Sequence, residues 1–332
     1  MLDQSFQRLL MRRLRFSVRQ LLILILMVGG CLGWVIRSER IQREAVAILK
    51  KNDALVWYNW ECKDGKYIPN GEPWAPKWLL DYMGVDFFSH VVLVQGLRTD
   101  VELAAAGRLP GIEELSLSGS LTDAALVNLR SLTSLKRLSL HSGNITNAGL
   151  VNLKDLTSLE TLELGSDGIT DAGMEYVADL PSLRELCLNC SVGDAGLKKL
   201  NGRNNIELLA LLNTQITDDG LAVLEGWTRL KRFVFIRPQF TDAGLAHLKN
   251  LTQMTYLDVS SSRVTDAGLA SLEGLTRLEE LWLANTRVTE AGLLAHLKGL
   301  TQLKELGIPS DVLTASGLRE LQSAMPKLDI PN

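Results

Sequence analysis

The sequence predicts an α/β solenoid: a horseshoe of about ten strand–helix repeats on a parallel sheet, preceded by one transmembrane helix and an aromatic-rich N-terminal cap. Three observations predict it. A Thr-Asp-Ala-Gly-Leu motif recurs every 23 to 25 residues from Thr122 onward, an apolar-x-apolar pair precedes each copy, and residues 20–36 carry no charge. A fixed period of this length is typical of solenoids, since each unit buries its apolar face only against its neighbours.

Composition narrows the function classes. The chain has 332 residues, 46% apolar, with a net charge of −3, four Cys and four His. This is a folded chain and not a disulfide-stapled miniprotein, and it offers little imidazole for catalysis. Residues 44–332 carry 27 basic and 36 acidic side chains, which argues against a nucleic-acid partner.

The uncharged run 20–36 predicts a transmembrane helix, since about 17 residues are the minimum for a span. Five Arg lie before the run and five Lys or Arg follow it, so charge sets the orientation only weakly. We expect residues 1–19 to be a basic cytoplasmic tail and the repeat domain to lie outside the cytoplasm. A buried helix, a cleaved signal peptide and a lipoprotein signal ending at Cys31 are the alternatives.

Two segments separate this run from the repeats. Residues 37–52 have helical periodicity and predict a juxtamembrane helix. Residues 53–90 are rich in aromatic side chains, with a turn at residues 63–66 that predicts a hairpin between 56–61 and 67–68, and a short helix after two prolines. We interpret residues 53–90 as a cap on the first repeat; a carbohydrate or ligand platform is the alternative.

The repeats span residues 91–313, with a C-terminal cap over 314–332. In each repeat the apolar pair is a strand with one face buried, and the motif Thr stands at a helix N-cap. The Asp follows in the first helical turn, near the positive end of the helix dipole. The Gly lowers helix propensity, so we expect it to permit close approach of the neighbouring repeat.

This pattern resembles leucine-rich repeat proteins, and the 24-residue Thr-Asp-Ala-Gly-Leu variant is similar to bacterial repeat proteins of the planctomycete type. The likeness to ribonuclease-inhibitor-like repeats is looser. The run Arg15-Phe-Ser-Val-Arg-Gln-Leu-Leu and the run Arg43-Glu-Ala-Val-Ala also resemble the membrane-anchored members of the bacterial group. The resemblance implies a scaffold fold at a membrane and no activity.

Motifs for chemistry are scarce. Cys187 and Cys190 form a Cys-x-x-Cys that lacks a second pair of metal ligands and runs along a strand, at an exposed position for Cys187. His247 and His296 lie on repeat helices, where we expect solvated side chains. The sequence therefore predicts no catalytic residue, no cofactor and no metal site, and we expect the protein not to be an enzyme.

The remaining candidate site is a surface. Side chains that flank the buried strand pair point into the concave face, and in the fifth to eighth motif-bearing repeats these are mostly apolar or aromatic. The candidate partner-binding residues are Ala210, Leu212, Arg232, Val234, Ile236, Tyr256, Trp282 and Ala284. We expect a membrane-anchored scaffold for a protein partner; the alternatives are an envelope-organising protein without a ligand and a ligand-sensing receptor module.

Overall fold

The computed structural model describes residues 18–63, 66–68, 71–236, 241–309 and 311–330. One continuous helix, α1 (Val18–Lys51), covers both the uncharged run and the predicted juxtamembrane helix. Within the described part of the chain, no helix combines the length and the apolar character needed to cross a membrane. Most side chains of residues 20–36, and residues 1–17 of the predicted tail, lie outside the described residues, so the transmembrane segment stays a prediction.

A single long sheet dominates the described residues, as the repeat predicts. It has eleven strands, of which ten belong to the repeats and run parallel. The strands in sheet order are β1 (Leu55–Tyr58), β4 (Val91–Leu97), β5 (Glu114–Ser118), β6 (Arg137–His141), β7 (Thr161–Leu164), β8 (Glu185–Asn189), β9 (Leu208–Leu212), β10 (Arg232–Ile236), β11 (Tyr256–Asp258), β12 (Glu280–Trp282) and β13 (Glu305–Gly307). A separate ribbon pairs β2 (Cys62–Lys63) with β3 (Lys66–Tyr67).

Short helices cover one face of this sheet. The α-helices after α1 are α2 (Lys77–Met83), α3 (Asp100–Ala106), α4 (Asn147–Leu150), α5 (Met174–Ala178), α6 (Asp194–Lys198), α7 (Asp218–Leu221), α8 (Asp242–Ala246), α9 (Asp266–Leu269), α10 (Glu290–His296) and α11 (Ala315–Ala324). Segments of 3-10 helix extend or replace several of them, at Val85–Phe87, Ala125–Ser131, Val151–Asp155, Asp171–Gly173, Ala222–Gly226 and Ala270–Leu272.

The core lies between the sheet and the helices. Most repeat strands contribute two apolar side chains that are almost fully buried, such as Leu138 and Leu140. The strands pair in register, so Leu138 lies beside Leu115 and Leu162, and the same row continues through the array. Leu150 and Leu153 are fully buried on the helical side, as their spacing predicts. Successive repeats therefore bury one continuous core, which explains why a single repeat would not fold alone.

The N-terminal cap differs from the prediction. The first repeat is covered by the last turns of α1, where Ala45, Val46 and Leu49 are buried, and by β1, which carries the buried Tyr58. The aromatic side chains of residues 74–82 do not take part, because Trp74, Trp78 and Tyr82 are 76%, 70% and 87% exposed. A long helix covers an open end more completely than isolated rings, since its apolar stripe is continuous.

The predicted hairpin between residues 56–61 and 67–68 is also corrected. β1 pairs antiparallel with β4, with Val56 opposite Val94, and so closes the sheet edge of the array. Only the two-residue strands β2 and β3 form a ribbon around the predicted turn. The main-chain groups of the first parallel strand offer β1 a longer ladder of hydrogen bonds than the ribbon does.

At the other end, α11 and the chain after it cover the last repeat. Leu321 and Met325 are fully buried, and Leu328 is nearly so. The main chain continues the sheet edge, because the Asp329 amide donates to the Lys304 carbonyl at 2.6 Å and the Leu306 amide donates to the Asp329 carbonyl at 3.0 Å. Polar residues then form the outer surface of the array, as terminal repeats require.

Candidate functional site: the open face of the sheet

A ladder of side-chain hydrogen bonds fixes the spacing of the repeats. The motif Asp of one repeat accepts two bonds from the motif Thr of the next: Thr217 donates its amide to Asp194 Oδ1 at 2.7 Å and its hydroxyl to Asp194 Oδ2 at 2.6 Å. The same pair of bonds joins Asp100 to Thr122, Asp123 to Thr146, Asp218 to Thr241, Asp242 to Thr265, Asp266 to Thr289 and Glu290 to Thr314. Sequence reasoning assigned this Asp to the helix dipole and missed the bond between repeats.

The motif glycine is explained by the same ladder. A Cβ on Gly196 would lie 2.5 Å from Asp171 Oδ1 and 3.0 Å from its Cα, closer than atoms in proteins approach. The expected close approach of neighbouring repeats is therefore present, and the neighbouring group is the preceding motif Asp. Asp171 is itself held, because the Gly193 amide donates to its Oδ1 at 2.7 Å.

This frame sets the positions of side chains on the open face of the sheet, the face that points away from the core. In every repeat strand the residues between and beside the buried pair point there. The parallel register places Leu208, Arg232, Tyr256 and Glu280 in one row, and Ala210, Val234, Asp258 and Trp282 in a second row. The predicted partner-binding residues with described side chains therefore lie together on four adjacent strands, β9 to β12.

Two residues of this surface are in direct contact. The Arg232 guanidinium lies over the Tyr256 ring, 4.2 Å from its centroid, an arrangement that stabilises both side chains in one orientation. Burial raises the pKa of Tyr256, and the negative charges of Asp258 and Glu280 add to this effect. The phenol therefore stays protonated at neutral pH and is available as a hydrogen-bond donor.

The surface is not the continuous apolar strip that the sequence predicts. Asp258 stands between Val234 and Trp282 in the second row, and Glu280 follows Tyr256 in the first. Leu208 occupies the same strand position as Arg232 and Tyr256, and it belongs to the surface although the sequence analysis did not include it. Ala210 is 8% exposed and contributes little area. The side chain of Ile236 lies outside the described residues, and Ala284 follows the end of β12 as a half-buried residue.

Trp282 lies flat against the next strand. A Cβ added to Gly307 would collide with the six-membered ring of the Trp282 indole. The ring therefore packs where only a glycine leaves enough space. The Trp282 side chain is half-buried, and its Nε1 is buried without a hydrogen-bond partner in the described structure. An unpaired buried donor is costly, so this nitrogen lowers the stability of the folded chain.

The first repeats present a different, polar surface. A depression of about 280 Å³ opens over β4 to β7 and is lined by Gln95, Glu114, Ser116, Arg137, Thr161 and Glu163. Arg137 and Glu114 form an ion pair, and the hydrogen bond that Arg137 donates to Glu114 raises the pKa of Arg137. The charges of this surface are therefore largely paired internally, which favours a role in shaping the face over strong binding.

The open face is acidic as a whole. Among its described strand positions, Arg137 and Arg232 are the basic residues. Six carboxylates share the face with them: Glu114, Glu163, Glu185, Asp258, Glu280 and Glu305. Because the carboxylates exceed the guanidinium groups, the face attracts positively charged surfaces of a partner at moderate ionic strength.

The cysteine pair lacks the properties of a reactive motif. Burial is the main cause that raises the pKa of Cys187 to about 11 and that of Cys190 to about 12. Both thiols are therefore protonated at neutral pH, which makes them weak nucleophiles. Cys187 is half-buried, where the sequence predicts exposure. Over the described residues, no group of three His, Cys, Asp or Glu could hold a metal ion.

The two repeat histidines are not simply solvated. His247 Nδ1 lies 2.6 Å from Glu225 of the preceding repeat, and His296 Nδ1 lies 2.7 Å from Glu273. Their side chains are 27% and 25% exposed. These pairs sit on the helical side, far from the open face, and so add a second contact between repeats.

Comparison with known proteins adds a family match. No curated protein sequence matches the chain. A crystal structure of an internalin from Listeria monocytogenes is similar with a TM-score of 0.48 and 21% identity, over 68% of this chain and 75% of that chain. Residues 250–272, about one repeat, match the family described as Leucine Rich repeat. This match covers one repeat of the array, and the same strand–loop–helix unit recurs in its neighbours.

Proposed function

We propose that this protein is a membrane-anchored, non-enzymatic scaffold that binds a protein partner on the open face of strands β9 to β12. The observation that carries the proposal is the surface formed there by Leu208, Leu212, Val234, Tyr256 and Trp282, with Arg232 stacked on Tyr256. Trp, Tyr and Arg contribute most of the binding energy at protein interfaces, and all three residue types meet on this surface.

The chemistry of the surface favours a partner with a mixed surface of its own. Apolar groups would cover Leu212 and Val234, and a basic group would pair with Asp258 or Glu280, which stand among them. These two requirements lie within adjacent strands about 5 Å apart, so one short segment of a partner meets both.

The binding surface is tested by truncation of its two aromatic residues. Tyr256→Ala and Trp282→Ala are each expected to weaken partner affinity by roughly five- to thirtyfold, since central aromatic residues contribute about 1–2 kcal/mol or more. The measurement is isothermal titration or surface plasmon resonance with the partner captured by the full-length chain. Val127→Ala serves as the control, because Val127 is 51% exposed on the helical side.

Two results would contradict the proposal. If both variants retain the affinity of the wild type, the open face does not carry the interaction. If no partner binds the full-length chain at all, the envelope-organising role without a ligand is favoured instead. Far-UV circular dichroism of each variant excludes unfolding as the cause of a loss.

We also propose that residues 20–36 anchor the chain, with the N-terminus in the cytoplasm and the repeats outside it. The uncharged run and the Arg-rich residues before it support this orientation. Protease added to cells with an opened outer barrier and a sealed inner membrane is expected to digest the repeat domain. Protection until the inner membrane is broken would reverse the topology and direct the search to cytoplasmic partners.

A further inference from the structure

Helix α2 and the residue three positions before it carry aromatic side chains that are largely exposed. Trp74, Trp78 and Tyr82 are 76%, 70% and 87% exposed, and α2 has no buried residue. Trp78 and Tyr82 are four residues apart and therefore lie on the same side of the helix. We refer to Trp74, Trp78 and Tyr82 as the aromatic face. Exposed aromatic groups of this size mark a contact surface more often than they mark the ordinary exterior of a protein.

Hydrogen bonds attach the segment that carries the aromatic face to Gln42 and Arg43 of α1. Arg43 of α1 donates to the carbonyl of Met83, the last residue of α2, at 3.1 Å. Gln42 donates to Asp86 at 3.0 Å and to the Ser89 carbonyl at 2.8 Å. The Trp74 indole donates to the Phe88 carbonyl at 3.0 Å and so ties the first aromatic residue to the same loop.

Gln42 and Arg43 follow closely after the uncharged run 20–36. In a continuous helix, Arg43 is seven residues after Ile36, which is about 10 Å at ~1.5 Å per residue. The polar region on each side of a bilayer core is roughly 5–8 Å thick. If residues 20–36 span the core, the loop that holds the aromatic face stands at the outer boundary of the headgroups.

We infer that the aromatic face docks on the phospholipid headgroup region and holds the repeat array in a fixed orientation to the membrane. The inference rests on the proposed anchor. Trp and Tyr are the side chains that concentrate at membrane interfaces, because an apolar ring and a polar atom suit the boundary. The exposed side chain of Arg37 directly follows the uncharged run on α1 and would attract anionic headgroups. Continuity with the uncharged run selects the membrane over a protein partner.

The test uses the full-length chain in vesicles of phosphatidylcholine and phosphatidylglycerol in equal amounts, with a spin label on part of the headgroups. The label quenches tryptophan fluorescence only at close range. The Trp74→Phe/Trp78→Phe double variant is expected to be quenched measurably less than the wild type, because it removes both tryptophans of the aromatic face.

Trp282→Phe is the matched control, and it is expected to retain the full quenching because the open face lies away from α2. Flotation of the vesicles separates the two proposals. If the chain floats with the vesicles and the double variant is quenched as strongly as the wild type, the docking is overturned and the anchor stands. If the chain does not float, the anchor and the docking both fail. Unchanged circular dichroism shows that the exposed positions tolerate phenylalanine.

Discussion

Replacing Gly196 with alanine is expected to lower the free energy of unfolding by about 2–5 kcal/mol. The new methyl group would lie 2.8 Å from Val192 Cγ1 and 3.0 Å from the Asp171 Cα, which belongs to the main chain and cannot rotate away. The Asp171 side chain would have to leave the Gly193 amide, which costs a further hydrogen bond to a charged group. Alanine recovers only about 1 kcal/mol through its better helix propensity.

Gly299→Ala is the matched control for this experiment. A Cβ at Gly299 meets no atom within 4 Å, so we expect a change within about 0.5 kcal/mol. Urea unfolding of the full-length chain, followed by circular dichroism, measures both variants. Equal stability of Gly196→Ala and the wild type would show that the repeats are not held at the described distance.

Removing one carboxylate of the ladder is expected to have the second-largest effect. Asp194→Ala deletes both hydrogen bonds to Thr217 and leaves its amide and hydroxyl to water. Each hydrogen bond to a charged group contributes about 1.5–3 kcal/mol, and partial exposure reduces this, so we expect a loss of about 2–4 kcal/mol. The unfolding midpoint in urea gives the value.

The chain supplies its own control for the ladder, because residue 147 is Asn where seven of the nine motifs have an acidic residue. Asn147 accepts from the Thr170 amide at 3.0 Å and donates to its hydroxyl at 2.9 Å. Asp194→Asn is therefore expected to keep both bonds and to lose no more than about 1 kcal/mol, the contribution of the charge to the helix dipole. If Asp194→Asn lowers the free energy of unfolding as much as Asp194→Ala does, the carboxylate stabilises the fold through its charge alone.

The fold was predictable because every repeat carries the same sequence pattern of strand, loop and helix. The apolar pair, the loop and the motif recur nine times, so an exception such as Gly193 in place of the motif Thr does not obscure the period. Parallel order and a covered helical side then follow from stacking. The N-terminal cap lacks such repetition. Sequence alone therefore placed the whole segment 53–90 on the first repeat, whereas within it β1 covers that repeat together with α1, and the aromatic residues of 74–82 do not.

The location of the binding surface was predictable from the sequence, but its mixture of apolar and charged side chains was predictable only in part. Strand alternation locates Tyr256 and Trp282 on the open face, but the register that sets Asp258 between Val234 and Trp282 depends on how neighbouring strands align. The Asp–Thr ladder was missed for a related reason. The position of Asp194 at the start of a helix suggests a local role at the helix dipole. Its hydrogen-bond partner, Thr217, lies 23 residues away in the chain.

The central claim is that the partner binds the open face of β9 to β12, and site-specific photo-crosslinking in intact cells tests it most directly. A photoreactive amino acid in place of Leu212 is expected to yield one crosslinked species, and the same group in place of Val127 on the helical side is expected to yield none. The species from position 212 should disappear when Tyr256→Ala and Trp282→Ala are added. Crosslinking from Val127 but not from position 212 would contradict the claim.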